Sequence, residues 1–296
     1  MLKVLICASE VAPIIKLGGL GDVVGSLPKA LEKLGVDADV VVPFVLSAKI
    51  TDLKVYKSMD MQVMYNGEIH TIGVYATKLP DSFVDVYMLK NDKYFGEAGK
   101  SAFANTMAET KIFSFFSRCV VELIKTKFNT YDVIHCNDWH TGLVTHILQD
   151  ELGLERPATI MTIHNLSYQG VGDTQILKEV GLDASSHKTI AWDISDGDVN
   201  FLMQGIASAD FINTVSPSYA RELLAQEDGS KISEVLTSRQ DRFIGILNGL
   251  DYSSCPRNFN GENYQFIKAS AKKQLAQELG MHLESAPVFS AITRLD

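Results

Sequence analysis

Two short apolar runs bracket a segment of helical period at the start of the chain. That order limits the possible folds more than any other feature. Residues 2–8, LKVLICA, and 38–44, ADVVVPF, are continuous apolar runs and not alternating ones. Such runs suit strands buried on both faces of a parallel sheet. Between them Leu20, Val23, Val24, Leu27, Leu31 and Leu34 recur at helical spacing and Gly35 follows. This predicts a helix over 20–34, with a kink at Pro28. A strand, a crossover helix and a second strand within about 45 residues begin a doubly wound, mostly parallel α/β sheet.

The period changes between 53 and 90. Asn66-Gly67 lies between alternating runs in MQVMYNGEIHTIGVYA, a strong hairpin signal, and FVDVYMLK adds a further strand. An antiparallel insertion beside the parallel sheet is therefore expected. A long helix is expected near 106–126, followed by strands in YDVIHC, ATIMTIH, ADFINTVS and RFIGIL, with helices from about 140 and over PSYARELLAQ. Ser216 and Pro217 supply an N-cap and a first helical residue for the last of these. The stretch 247–263 is rich in Asn, Gly, Ser and Pro, which marks a boundary. The expected organisation is a first domain over 1–247, a linker over 248–263, and the opening helix and strand of a second domain over 264–296. The last strand, APVFSAITRLD, has no crossover or neighbour after it, so the second domain is expected to be cut short.

A formal charge of −9 argues against a broad nucleic-acid surface, while leaving room for one local phosphate site. No apolar run approaches the ~18 residues of a spanning helix. The N-terminus lacks the long apolar region of a signal peptide, and Glu10 follows its short one. Cys7, Cys119, Cys136 and Cys255 are scattered without paired spacing. They are read as reduced thiols of a cytoplasmic protein.

Chemistry-bearing residues fall after the apolar runs, at the carboxyl ends where open α/β sheets bind ligands. The first group is KLGGLGDVVG, residues 16–25. Glycines between a strand and a helix allow close approach of an anion, and Lys16 adds a point charge. The pattern is neither a dinucleotide fingerprint nor a Walker loop, and a plain tight turn would need the same glycines. The second group, HCNDWHTGL, sets His135, Cys136, Asp138, Trp139 and His140 together. Its His-x₄-His spacing matches no common zinc site, so no metal is expected. Asp138 suits either a helix cap or a ligand contact, and Trp139 either a sugar ring or a core. The third group, TIHNLSYQG, brings His164 and Asn165 to another strand end. No G-x-S-x-G elbow supports a Ser-His-Asp hydrolase, whereas a paired-carboxylate glycosidase is open on spacing alone.

Taken in order, these segments resemble the N-terminal half of bacterial glycogen synthases and plant starch synthases. The lead motif Lys-x-Gly-Gly-Leu-x-Asp-Val is met by Lys16, Gly18, Gly19, Leu20, Asp22 and Val23. DWHTGL, TIHNLSYQG, VSPSYARE and LNGLD are similar to further family segments, and AITRLD resembles the opening strand of the family's second domain. The resemblance spans essentially the whole chain. It implies one Rossmann-like half of a two-domain GT-B glycosyltransferase. The implied reaction is retaining transfer of glucose from ADP-glucose, or UDP-glucose in some relatives, to the 4-hydroxyl of an α-1,4-glucan. No cofactor, metal, nucleic acid or membrane is implied. The implied setting is the cytoplasm, or the plastid stroma for a plant source.

By the same resemblance, Lys16, Gly18 and Gly19 face the donor diphosphate, and Asp22 belongs to the same loop. Asp138, His164 and Asn248 line the sugar site with Trp139 and Asn165, and Arg294 stabilises the departing phosphate. Catalysis would then rest on His164, Asp138 and Arg294. The chain departs from the family at Leu17, Ala108, Glu109, Ile112 and Met203. Two other readings are a non-catalytic glucan-binding half-protein and a retaining glycosyltransferase with a different acceptor.

Overall fold

The computed structural model describes residues 1–45, 47–96, 107–127, 130–225, 229–251, 263–282 and 287–291. The first strand, β1 (Lys3–Cys7), is the hub because its side chains bury on both faces. Leu5 and Cys7 enter one core cluster, Val4 and Ile6 the other. Helix α1 (Gly19–Lys33) runs on through the buried Pro28 and leads to β2 (Asp37–Pro43), parallel to β1. The insertion follows as β3 (Tyr56–Tyr65) and β4 (Glu68–Lys78), antiparallel and joined by Asn66-Gly67. Both turn residues have positive φ, 51° and 75°, as a two-residue turn matched to strand twist requires. Next, β5 (Asp85–Lys90) pairs antiparallel with β4 and parallel with β2, which fuses the insertion to the main sheet.

The other half alternates as expected: α2 (Met107–Thr126), β6 (Val133–Asn137), α3 (Gly142–Leu152) and β7 (Ala158–Ile163). A small antiparallel pair, β8 (Val171–Asp173) and β9 (Asp198–Asn200), encloses α4 (Gln175–Val180) and α5 (Lys188–Asp193). Then come α6 (Phe201–Ser208), β10 (Phe211–Thr214), α7 (Pro217–Ala225), α8 (Lys231–Ser238) and β11 (Phe243–Gly245). Among the described residues the sheet has nine strands, in the order β11-β10-β7-β6-β1-β2-β5-β4-β3. Chain progression goes from β1 toward β2 on one side and later from β6 toward β11 on the other. The switch point therefore lies between β1 and β6, where such sheets form a crevice. One face is packed by Phe113, Phe116, Leu143 and Ile206 of α2, α3 and α6, the other by Leu20 and Val24 of α1. This is a Rossmann-like doubly wound arrangement. No helix among the described residues is long and apolar enough to cross a membrane.

The chain divides into two compact units, Met1–Gly249 and Leu250–Asp296. In the second, α9 (Tyr264–Leu279) ends on Gly280, whose φ is +63°. The strand expected over 286–296 is not formed at 287–291, which carry no regular structure. A strand is stable only when its backbone groups find a ladder, and no strand among the described residues of that unit offers one. Most of the expected linker, 252–262, lies outside the described residues, as do 292–296.

Candidate functional site

Three adjacent strands, β7, β6 and β1, carry the three polar groups at their carboxyl ends. The loop after β1 is organised by a residue absent from the expected set. Glu10 is only 5% exposed, and its Oε2 accepts the backbone N–H groups of Leu17 and of Gly18, the latter at 3.1 Å. The glycines then serve separate purposes. A Cβ on Gly21 would lie 3.0 Å from that same oxygen, and one on Gly25 2.4 Å from the carbonyl oxygen of Ala12. Both are therefore packing requirements. A Cβ on Gly19 would meet nothing within 4 Å, so open space lies before the first residue of α1. Gly18 caps that helix without a side chain, and Asp22 puts a carboxylate in its first turn. Lys16 Nζ rests 2.7 Å from Asp22 Oδ1, an exposed pair. The Gly18 backbone is the one expected to face a diphosphate. Its N–H is committed to Glu10, which leaves Lys16 and the Gly19 end of the loop facing outward.

Asp138 follows β6 with φ 55° and ψ −179°, a conformation that favours glycine and stores strain. The helix-cap alternative fails, because its side chain makes no capping bond to the 3₁₀ turn 139–141. Thr141 Oγ1 serves that corner instead, accepting the Asn137 N–H at 2.7 Å. Asp138 Oδ1 reaches across to β7 and accepts the His164 N–H at 2.8 Å, and the carboxylate also takes the Asn165 N–H. Burial pushes the Asp138 carboxyl up to about 7, against those two donors, and the nearby Glu10 charge adds to the rise.

The His164 ring is fixed from below. Asn137 Nδ2 donates to the carbonyls of Cys7 and His135, each at 3.2 Å, so its Oδ1 is the acceptor toward His164 Nε2 at 3.0 Å. The Nε2 proton is thereby assigned, and Nδ1 is left as the acceptor nitrogen. Burial holds the imidazole at about 4, hence neutral near pH 7. A neutral imidazole beside a carboxyl that titrates near neutrality can orient hydroxyls and hold or release a proton.

The other expected residues have different fates. Trp139 is corrected to a core role: it is 3% exposed, edge-on to Phe113 and stacked on His140 at 4.2 Å. Gly170, at φ +65°, lies so close that a Cβ there would come within 2.2 Å of the indole. His135 and His140 go to different partners, His135 Nε2 meeting Thr162 Oγ1 at 2.6 Å, which in turn donates to Asn213. Asn165 is exposed and its Oδ1 accepts the Ser167 N–H at 2.9 Å. Asn248 is exposed at the end of the first unit, and Arg294 lies outside the described residues. Met203, one of the departures, is fully buried in the core and not on the site surface. Sequence reasoning missed Glu10 and Asn137. The available signal was position, since Glu10 follows the β1 run and Asn137 directly precedes Asp138.

A family model described as the starch synthase catalytic domain matches residues 3–238. Glycogen synthase from Geotalea daltonii is 36% identical, an alignment covering 99% of this chain and 63% of that protein. Glycogen synthase from Fervidobacterium nodosum is 34% identical with the same coverage. Among solved structures, the catalytic domain of starch synthase IV from Arabidopsis thaliana, bound to ADP and acarbose, is similar with a TM-score of 0.82 and 28% identity. That match covers 97% of this chain and 60% of the Arabidopsis chain. The chain thus spans 63% of the length of these curated relatives.

Proposed function

The chain belongs to the family of starch synthase catalytic domains, and from that premise we propose that it is the acceptor-side half of a retaining glucosyltransferase of glycogen or starch synthesis. In this reading glucose passes from ADP-glucose, with UDP-glucose as the competing donor, to the 4-hydroxyl at the non-reducing end of an α-1,4-glucan. Groups from the remainder of the relatives' length complete the donor site, and the setting is the cytoplasm. Lys16 meets the diphosphate as a point charge. Asp138 and His164 hold the glucose hydroxyls, with Asn165 and Asn248 nearby. Arg294 neutralises charge on the departing phosphate, as leaving groups in a dry cleft require.

The observation that supports this reading most is the convergence of the Lys16 loop, Asp138 and His164 on three adjacent strand ends at the switch point. The ADP and acarbose bound by the Arabidopsis protein agree with a nucleotide donor and a sugar acceptor. Glucose incorporation into glycogen by the chain joined to the donor-side half that completes the site, since the chain alone is expected to be inactive, compared for ADP-glucose and UDP-glucose, is the test. Lys16→Ala is expected to lower transfer by ~10²-fold while glycogen binding is kept. Unchanged turnover in that variant would remove the phosphate role. Glycogen binding without transfer from either donor turns the assignment to a non-catalytic glucan-binding half, which the altered 108–112 segment favours.

A further inference from the structure

We infer that Glu10 is the positioning residue of the Lys16–Gly19 loop, shaping it for an anionic ligand without touching that ligand. The inference rests on the diphosphate role proposed for Lys16. Glu10 follows β1, and the chain then turns through Val11–Ile15, a bridge closed by hydrogen bonds in both directions between those two residues. That turn brings the loop back over the buried carboxylate. A single oxygen, Oε2, then holds two consecutive N–H groups, those of Leu17 and Gly18. Successive backbone N–H groups converging on one point form an anion nest. Here the protein fills its own nest with a side chain.

Two consequences follow for ligand binding. The N–H groups of Leu17 and Gly18 are spent, so an incoming phosphate is directed to the Lys16 ammonium and the open side of Gly19. The loop is also held in one shape before any ligand arrives, which lowers the ordering cost of binding. Gly21 is part of the same device, since any side chain there would press on the carboxylate at 3.0 Å. The charge of Glu10 is not what the loop needs. Its reach is, because one carbonyl-type oxygen suffices to accept both donors.

The test separates reach from charge. Glu10→Gln keeps an acceptor at the same distance, Glu10→Asp keeps the charge but withdraws it by one methylene, and Glu10→Ala removes both. ADP is titrated by ³¹P NMR into the 296-residue chain and each variant, each joined to the donor-side half of a glycogen synthase, with glycogen binding measured alongside. The expected order of ADP affinity is Glu10→Gln equal to or above wild type, then Glu10→Asp and Glu10→Ala weaker by about tenfold or more, with glycogen binding unchanged in all. Should Glu10→Ala not fold, the Gln and Asp variants still decide. Glu10→Asp binding ADP as well as or better than Glu10→Gln overturns the inference, as does equal affinity throughout the series. An ADP affinity left unchanged by Lys16→Ala in the same assay sinks the Lys16 reading first and this inference with it.

Discussion

Replacing Asp138 by Asn should stabilise the protein increasingly as pH rises. The Asp138 carboxyl is pushed by burial from 3.8 to about 7. A folded-state pKa above the unfolded one means that the group's contribution is fully present below the lower value and is lost as pH rises through the upper one. Across the gap between 3.8 and about 7, the linkage costs up to about 4 kcal/mol at pH 8, where the folded carboxyl is ionised, and about 1–2 kcal/mol at pH 5, where the folded protein holds it protonated and the unfolded chain does not. Asn carries no charge at either pH, and its Oδ1 can still accept the His164 N–H. Any penalty for a poorer match to the Asn165 N–H is the same at both pH values. The pH-dependent part therefore isolates the carboxyl: Asp138→Asn should gain roughly 2–3 kcal/mol relative to wild type between pH 5 and pH 8. Urea unfolding followed by tryptophan fluorescence reads this directly, because both tryptophans, Trp139 and Trp192, lie in the first unit. A stability difference that is the same at pH 5 and pH 8, or that shrinks with pH, would refute the reasoning.

Overall stability should nevertheless fall with acid. Burial holds His135, His146 and His164 at about 4 and His140 at about 3, so each is neutral when folded and takes up a proton on unfolding below 6.5. Asp138 and Asp193, raised by burial to about 7 and about 6, act in the opposite sense. Near pH 5 the histidines outweigh the carboxyls by about two protons, so stability should rise by roughly 2–3 kcal/mol per pH unit; a flat urea midpoint between pH 5 and 6 would contradict this. Gly25→Ala forces a Cβ to 2.4 Å from the Ala12 carbonyl oxygen, backbone against backbone, and should cost about 2–4 kcal/mol. Gly19→Ala, which points into open space, should change the thermal midpoint by less than the equivalent of ~1 kcal/mol. Comparable destabilisation by the two would show that the glycines do not divide as described.

The layout of the sheet was legible because its signals are local. The apolar runs at 2–8 and 38–44 and the turn pair Asn66-Gly67 each specify their element from neighbouring residues. The site was legible in part for the same reason: polar groups directly after a buried run must lie at strand ends. What sequence could not show depends on contacts between segments. Glu10 meets Leu17 and Gly18 only after the 11–15 turn closes. Trp139 has the composition of either a sugar platform or a core residue, and packing against Phe113 and Gly170 decides it. The end of the chain reads as a strand by composition, yet residues 287–291 find no ladder.

In the sugar site proposed above, the Asn137 clamp on His164 would also act as a filter on polarity. With the ring proton held by Asn137, the other ring nitrogen can only receive a hydrogen bond. A sugar hydroxyl approaching it as donor would be accepted. An ether oxygen, a fluorine or a carbonyl in the same place presents a lone pair to a lone pair, and a buried unmet pair costs about 1–3 kcal/mol. Because the imidazole stays neutral down to about pH 4, the filter does not reverse across the physiological range. In that reading, selectivity for a donor group would be written one layer beneath the surface, in the direction of the Asn137 amide.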